Sequence, residues 1–210
     1  MKIYGRISIS LVCWLLAPAL ILVAGIDLAP VRAARPSGAT IVVTSNSPYT
    51  GGPTCKLRDA IKAANTGTVV GGCNGRGAGP YTIVLQPGTA YTLNQVDNTG
   101  ESGVNGLPQI TANITINGRG STIQRAISPG NGTQFRFFQV NQSGVLGLKN
   151  VSIQNGETDQ GGAIYSNGTV NIANSSFISN RSQCGGAIAN GETGNLSITN
   201  TSFRFSDAYA

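Results

Sequence analysis

The sequence predicts an all-β solenoid, a fold in which short parallel strands stack from one coil to the next. Three observations lead to this prediction: a composition typical of turn-dense β structure, short apolar alternation broken by frequent turns, and an internal repeat. Glycine accounts for 29 of the 210 residues, and Asn, Ser and Thr are abundant. Strands joined by many tight turns use this mixture, whereas helical domains tolerate it poorly.

Residues 1–33 have the order of segments typical of a secretory signal peptide. Lys2 and Arg6 precede an apolar run over residues 7–24, and residues 31–33 place small side chains at the −3 and −1 positions of a cleavage site. An uncleaved membrane anchor is the alternative, because about 18 apolar residues approach the length that spans a bilayer. We expect an exported protein, secreted or at the cell surface, with no stable transmembrane segment after cleavage.

A single helix is predicted over residues 54–65. Its apolar face consists of four residues at the spacing i, i+3, i+4, i+7: Leu57, Ala60, Ile61 and Ala64. Its charged residues lie off this face: Lys56, Arg58, Asp59 and Lys62. Thr54 can cap the first turn, and Gly67 suits a left-handed exit. Because so short a helix is unstable alone, we expect its apolar face to cap the N-terminal end of the solenoid interior.

Three cysteines follow the predicted signal peptide, and Cys55 and Cys73 are the natural pair in an oxidising compartment. The loop that this bridge closes is short, and the bridge contributes about 3 kcal/mol to stability. Cys184 is left over. We expect it as an unpaired thiol buried in a coil, with a disulfide to another chain as the alternative.

Short strand-like segments follow the helix. Residues 81–85 and 91–93 alternate on either side of a turn, and a further alternation begins at Ile114. The chain is therefore divided into four parts. These are the signal peptide over residues 1–33, an N-terminal extended segment over 34–53, the helix and disulfide loop over 54–80, and four or five stacked coils over 81–210.

The internal repeat is the strongest signal in the chain. The segment Gly161-Gly162-Ala163-Ile164 recurs as Gly185-Gly186-Ala187-Ile188. Further positions recur at the same spacing: Val140, Leu146, Leu148, Asn150 and Ile153 as Ile164, Val170, Ile172, Asn174 and Phe177. A third copy contains Asn200 and Phe203 and follows at a slightly longer spacing, because its two extra residues fall in the loop over 190–194.

A period of about 24 residues fits one coil made of two or three short strands. Neighbouring coils pair as parallel strands about 4.8 Å apart, so that equivalent side chains stack. We expect Leu148, Ile172 and Ile198 to stack inside. At a turn outside, Asn150, Asn174 and Asn200 are expected to form a ladder of amides. The Gly-Gly pairs allow a turn with positive φ.

Two motifs carry a resemblance to known families. Cys55-Lys-Leu-Arg-Asp-Ala60 resembles the Cys-Ser-Leu-Arg-Glu-Ala motif of the CSLREA domain of bacterial exported proteins, from which Lys56 and Asp59 depart. The Gly-Gly-Ala-Ile segments with Phe177-Ile-Ser-Asn180 are similar to the repeat of chlamydial polymorphic outer-membrane proteins, although the last copy lacks the final Asn. The resemblance covers about residues 40–206. It implies a right-handed parallel β-helix on an exported or surface protein, in families whose members mostly lack a defined reaction.

Glu157 and Asp159 are the candidate catalytic pair, because two carboxylates on the flank of a coil can serve as acid and as nucleophile or base in sugar cleavage. The repeat offers a structural alternative. Glu157 precedes Gly161 by four residues, as Arg181 precedes Gly185, so the two are expected to stack as a surface ion pair worth under about 1 kcal/mol.

Other candidates carry weaker patterns. Asp97 and Glu101 suggest a Ca²⁺ site, with a solvated loop as the alternative. Three arginines are scattered without the basic cluster of a pectate lyase: Arg119, Arg125 and Arg136. The segment 135–138, Phe-Arg-Phe-Phe, is either a sugar-stacking cluster or core, and alternation directs Phe138 inward and Phe137 outward. The chain has no histidine, and we expect no metal and no cofactor.

These patterns predict an exported scaffold that is not a catalyst and that binds surface glycans or proteins of a host or neighbouring cell. The alternative is a carbohydrate-active enzyme, of the polysaccharide lyase or hydrolase type, or a sugar-binding module. Charged residues make up only 10% of the chain, which argues against nucleic acid as a partner. The last coil ends without a cap, so we expect further coils or a partner to cover it.

Overall fold

The computed structural model describes residues 38–101, 103–127 and 132–208, so the predicted signal peptide over 1–33 lies outside the described residues. One helix, α1 (Leu57–Thr66), lies between the first two of the strands formed by these residues. The strands in chain order are β1 (Thr40–Val42), β2 (Val69–Val70), β3 (Cys73–Asn74), β4 (Tyr81–Val84), β5 (Ala90–Leu93), β6 (Asn98–Gly100), β7 (Gly103–Asn105), β8 (Asn113–Arg125), β9 (Phe138–Val140), β10 (Val145–Gln154), β11 (Ile164–Ser166), β12 (Thr169–Ala173), β13 (Ser176–Ile178), β14 (Ile188–Asn190), β15 (Asn195–Thr199) and β16 (Ser202–Arg204). Within the described ranges, no helix is long and apolar enough to cross a membrane.

The strands pair mainly in parallel, which confirms the all-β prediction. The largest sheet has the order β1-β4-β8-β10-β12-β15, with every neighbouring pair parallel. The long strands β8 and β10 also pair through their second halves, β8 with β5 and β10 with β13, and β13 pairs with β16. A second parallel sheet has the order β14-β11-β9. In the described residues, antiparallel pairing is confined to two short pairs, β2–β3 and β6–β7.

The strand register confirms the predicted stack, because Leu148 pairs with Ile172 and Ile172 pairs with Ile198. Leu148 and Ile172 are buried as predicted, but Ile198 is 41% exposed. The stack extends towards the N-terminus through Ile116, Ile83 and Ile41, which are all buried. Successive coils thus place one branched aliphatic side chain over the next, and the burial of these side chains stabilises the parallel pairing.

The register differs from the predicted alignment at β9. The sequence repeat aligns Val140 with Ile164, but the structure pairs Phe138 with Ile164 and Val140 with Ser166. The reason is the length of the following loop. Four residues separate β9 from β10, whereas two separate β11 from β12, so the spacing of the repeat is restored only at β10.

A left-handed corner recurs in each repeat, within β10 at Asn150 and between two strands at Asn174 and Asn200. Asn150, Asn174 and Asn200 have φ of 52°, 51° and 45°, a conformation that Asn adopts more readily than most residues. The Nδ2 of Asn200 donates to the Oδ1 of Asn174 at 2.7 Å, which is one step of the predicted amide ladder. Gly161 and Gly185 have φ of 58° and 80°, as expected for the Gly-Gly turns.

Helix α1 differs from its prediction at the N-terminus. It begins at Leu57, after the extended residue Lys56, and Thr54 does not cap it. The predicted exit is confirmed, because Gly67 takes the left-handed conformation with φ of 65°. The four apolar residues of the predicted face are buried with the strand residues in one core. Arg58 and Asp59, assigned to the exposed side, are also buried, at 3% and 1% exposure.

Cys55 and Cys73 form the predicted disulfide. Cys184 is free within the chain, but it is exposed and not buried as predicted. The bridge ties the segment before α1 to β3, which begins at Cys73. The C-terminal end of α1 is tied elsewhere, since the Oδ1 of Asn65 accepts from the amides of Thr111 and Ala112.

Candidate functional site

Glu157 lies next to Arg181 on the neighbouring coil, because the two residues form a parallel bridge. Its carboxylate makes an ion pair with Arg125 that the repeat does not predict. The Nη2 of Arg125 donates to Oε2 of Glu157 at 2.7 Å, and the Nε of Arg125 donates to the carbonyl of Asn155. Arg125 therefore anchors the segment that carries Glu157.

Asp159 is exposed, whereas Glu157 is half-buried. The backbone carbonyl of Asp159 accepts from the amides of Gln183 and Cys184 on the next coil. The two carboxylates thus have different surroundings, and Glu157 already has a guanidinium partner. This arrangement fits a structural role for Glu157 at the junction of coils, and the catalytic assignment of the pair stays a prediction.

Asp97 and Glu101 have separate partners. Lys62 on α1 lies 3.5 Å from Oδ1 of Asp97, and the Nδ2 of Asn167 donates to Oε2 of Glu101 at 2.7 Å. Among the described residues, no group of three or more His, Cys, Asp or Glu side chains comes together in a way that could hold a metal ion.

The aromatic segment 135–138 is core. Phe135, Phe137 and Phe138 are each fully buried, and the rings of Phe135 and Phe137 pack edge to face with centroids 6.1 Å apart. The outward direction predicted for Phe137 is therefore wrong. The segment is still irregular at this point, because β9 begins only at Phe138, so strict alternation does not apply to Phe137.

A polar groove of about 1020 Å³ lies along the sheet formed by β9, β11 and β14. Its rim is formed by the loops that follow β9, β11 and β14, and these loops differ in length. The two-residue loop after β11 lies between two four-residue loops, over 141–144 and 191–194. The β6–β7 hairpin supplies a further wall through Thr99, Gly100 and Glu101. The hydrogen bond from Asn167 in the short loop to Glu101 ties that wall to the groove.

The lining of the groove is rich in carboxamides, which both donate and accept hydrogen bonds. These are Gln109, Gln139, Asn141, Gln142 and Asn167. Two carboxylates, Glu101 and Glu192, and one aromatic residue, Tyr165, complete the chemically distinctive side chains. None of the described residues that line the groove is a lysine or an arginine.

Arg136 supports the groove from beneath. It is fully buried, and its guanidinium carbon lies 5.1 Å from the ring centroid of Tyr165. Its three nitrogens donate to Oδ1 of Asn105 at 2.7 Å, to the carbonyl of Gln160 at 2.9 Å and to the carbonyl of Glu101. Burial lowers the pKa of Arg136 to about 10, an effect that nearby Tyr165 and Asp159 oppose, so the residue stays charged at neutral pH.

Sequence reasoning did not find this groove. Tyr165 and Gln139 are outward neighbours on β11 and β9, and their pairing depends on the register that the repeat misaligned. The one available signal was the two-residue insertion in the loop over 190–194, which contains the groove residues Glu192 and Thr193.

A second concavity, of about 470 Å³, lies at the last described coil and is mostly apolar. Leu196, Ile198 and Phe203 line it and are 39%, 41% and 44% exposed, although their counterparts in the preceding coil are buried. The ring of Phe203 stacks on that of the buried Phe177, with centroids 5.1 Å apart, so this surface continues the row of apolar side chains.

No family model, no curated protein and no solved structure matches this chain. Function is therefore inferred from the fold and the groove alone.

Proposed function

We propose that this chain is an exported right-handed parallel β-helix that acts as a cell-surface or extracellular scaffold and binds a ligand without catalysis. The three sets of parallel strand pairs, which recur from one repeat to the next, support the coil architecture, with α1 as the cap of its N-terminal end. The Cys55–Cys73 disulfide is typical of an oxidising compartment. Membership of the CSLREA group, with repeats like those of chlamydial polymorphic outer-membrane proteins, is part of this proposal.

The polar groove is the observation that carries the binding role. A concave surface with an aromatic ring and several carboxamides offers both apolar contact and directional hydrogen bonds, as ligand sites do. The flank is also a stiff platform, because β11, which carries Tyr165, is held by β9 on one side and by β14 on the other. Surface glycans and proteins of a host or neighbouring cell are the proposed partners.

A binding screen tests this role. The exported chain without residues 1–33, applied to immobilised glycans and to extracellular proteins, is expected to bind at least one of these ligands in a saturable way. Heat-denatured protein serves as the control, since the groove exists only in the folded chain. Saturable binding that survives denaturation, or no binding to either ligand class, would contradict the proposal.

A carbohydrate-active enzyme is the second candidate, because Glu101 and Glu192 line the same groove. Release of reducing ends or unsaturated sugars from a polysaccharide panel tests it. Two sets of variants separate the possible sites: Glu101→Gln with Glu192→Gln in the groove, and Glu157→Gln with Asp159→Asn outside it. If one set of variants abolishes cleavage and the other preserves it, the chain is an enzyme and not a scaffold. The inactive set then identifies the residues of the reaction site.

A further inference from the structure

The chemistry of the groove also indicates which ligands it accepts. Gln139 on β9 and Tyr165 on β11 are neighbours in register, and the next residue in that row, on β14, is Ala189. Tyr165 is thus the aromatic member of this row, and it lines the groove. Its ring offers a surface on which the apolar C–H face of a sugar ring can lie.

The ring of Tyr165 is held in place before any ligand arrives. The buried guanidinium of Arg136 lies against it at 5.1 Å, and three oxygen acceptors fix that guanidinium in turn. A ring that is already ordered loses little entropy on binding. The same hydrogen bonds occupy all three nitrogens of Arg136, so its charge is not offered to an anionic ligand in the groove.

Hydrogen-bonding groups around the ring match hydroxyl groups. Carboxamides donate and accept, as sugar hydroxyls do, and five of them line the groove. The chain itself uses some of these groups, since the Nδ2 of Asn141 donates to the Oε1 of Gln109 and the Oε1 of Gln139 accepts from Asn105, whereas Gln142 is exposed. The Oδ1 of Asn141 is buried and has no partner among the described residues, so a donor that enters beside it would satisfy an acceptor that is costly to leave unpaired. Glu101 and Glu192 accept only, and they repel carboxylate and sulfate groups.

From these features we propose that the groove is a binding site for an uncharged oligosaccharide, which stacks on Tyr165 and hydrogen-bonds to the carboxamides, and that it rejects acidic glycans. This proposal deepens the proposed function and rests on it. A volume of about 1020 Å³ exceeds most pockets for single small molecules and fits a chain of several sugar units.

Isothermal titration tests the ligand class with neutral oligosaccharides (gluco-, xylo-, manno- and chito-oligomers) and with acidic ones (galacturonate and alginate oligomers). We expect the folded chain to bind a neutral oligomer with an affinity that does not change between about 0.15 M and 1 M salt. The chain has a formal net charge of +6, so acidic oligomers can associate weakly outside the groove, and that association is expected to vanish at high salt.

Variants test the site. Tyr165→Ala is expected to weaken binding of the neutral oligomer about tenfold or more, and Tyr165→Phe to keep it within about threefold, because phenylalanine retains the ring. Tyr49→Ala is the matched control, since Tyr49 is 58% exposed and lies outside the groove. Glu192→Lys tests the rim independently of the ring. It is expected to strengthen binding of acidic oligomers at about 0.15 M salt relative to the unsubstituted chain, because it replaces an anion by a cation, and to lose this gain at about 1 M salt, where the attraction is screened.

The outcomes separate this proposal from the proposed function. Neutral binding that Tyr165→Ala leaves unchanged, or salt-resistant binding of acidic oligomers by the unsubstituted chain, would overturn the groove assignment and leave a binding role intact. If no oligosaccharide binds but an extracellular protein does, the ligand class is wrong and the scaffold stands. If neither binds, both proposals fail.

Discussion

Arg136 is the residue on which the groove depends most. A guanidinium without solvent contact is rare in a folded protein, and here three hydrogen bonds and one aromatic ring offset its desolvation. Because its acceptors belong to the β6–β7 hairpin and to the turn before β11, Arg136 joins one wall of the groove to the segment that leads into the strand of Tyr165. A buried cation thus acts here as a positioning residue for Tyr165.

Arg136→Met should lower the free energy of unfolding by about 2–4 kcal/mol, because three buried oxygens lose their donor while the side-chain volume is roughly kept. Urea unfolding at pH 7 measures this effect. Arg76→Met, on an exposed arginine, is the control and should change stability by less than about 0.5 kcal/mol. If both substitutions change the free energy of unfolding equally, the hydrogen bonds of Arg136 make no special contribution to stability.

Tyr91 predicts a dependence of stability on alkaline pH. Burial raises the pKa of Tyr91 above the ordinary value of 10.0, although a hydrogen bond from the amide of Gln86 opposes the shift. The folded-state pKa is the higher one, so this contribution to stability is full below pH 10.0 and is lost as the pH rises through the folded-state value. Tyr91→Phe should therefore lose less stability than the unsubstituted chain between about pH 9 and pH 11, as measured by urea unfolding. A parallel decline in both proteins would contradict the assignment.

At the scale of elements, close backbone contact between coils limits which residues fit at the turns. A Cβ added to Gly162 would lie 2.6 Å from the amide nitrogen of Arg181 and 2.7 Å from the carbonyl oxygen of Gly186, both on the next coil. The amide of Gly162 donates to that same carbonyl at 2.7 Å. The Gly-Gly pair therefore serves two purposes, a left-handed turn at Gly161 and contact between neighbouring coils at Gly162.

Gly162→Ala should destabilise the protein by about 2–3 kcal/mol, because the added methyl group forces two hydrogen-bonded coils apart. Gly120→Ala is the control. Gly120 has φ of 80° with nothing within 4 Å of an added Cβ, so the expected cost is the left-handed strain alone, about 1 kcal/mol. Thermal unfolding of both variants measures these costs. A smaller loss of stability for Gly162→Ala than for Gly120→Ala would contradict the explanation by contact between neighbouring strands.

At the scale of the whole molecule, stability is expected to vary along the array of strands. Strands β8 and β10 have parallel neighbours on both sides, whereas β15 and β16 have one each among the described residues. The side chains of β15 and β16 are exposed throughout, including the apolar ones. In arrays of repeats, each unit draws its stability from its nearest neighbours.

Hydrogen exchange should follow this gradient. Amides of β8 and β10 are expected to exchange slowest, and those of β15 and β16 fastest, because opening the last coil breaks one interface and opening a central coil breaks two. Peptide-level exchange followed by mass spectrometry provides the measurement. Uniform protection from β8 to β16 would mean that the array opens only as a whole.

The inner part of this molecule could be predicted from the sequence, and the outer part could not. The stack of Leu148, Ile172 and Ile198 could be predicted because the periodic apolar pattern fits one alignment of the repeats. The burial of Arg136 depends on acceptors that are distant in the chain, at Gln160, Asn105 and Glu101, and no local pattern announces them.

The groove escaped prediction for a related reason. It depends on differences in length between loops, and a repeat alignment treats such differences as gaps. The repeat alignment places Val140 opposite Ile164. Because it ignores the two-residue difference in loop length, it does not place Gln139 opposite Tyr165, which is its partner in the structure. The ion pair between Arg125 and Glu157 was not predicted either, because no local pattern leads from Glu157 back to Arg125.

The alternation of two- and four-residue loops has a consequence for how such a protein can change. Insertions at 141–144 and 191–194 add rim side chains, yet the inward residues on either side keep their partners in register. Specificity and foldability are therefore encoded in separate parts of the chain. A library that randomises the length and content of these two loops would sample new recognition surfaces on an unaltered framework, as variable loops do on an antibody domain.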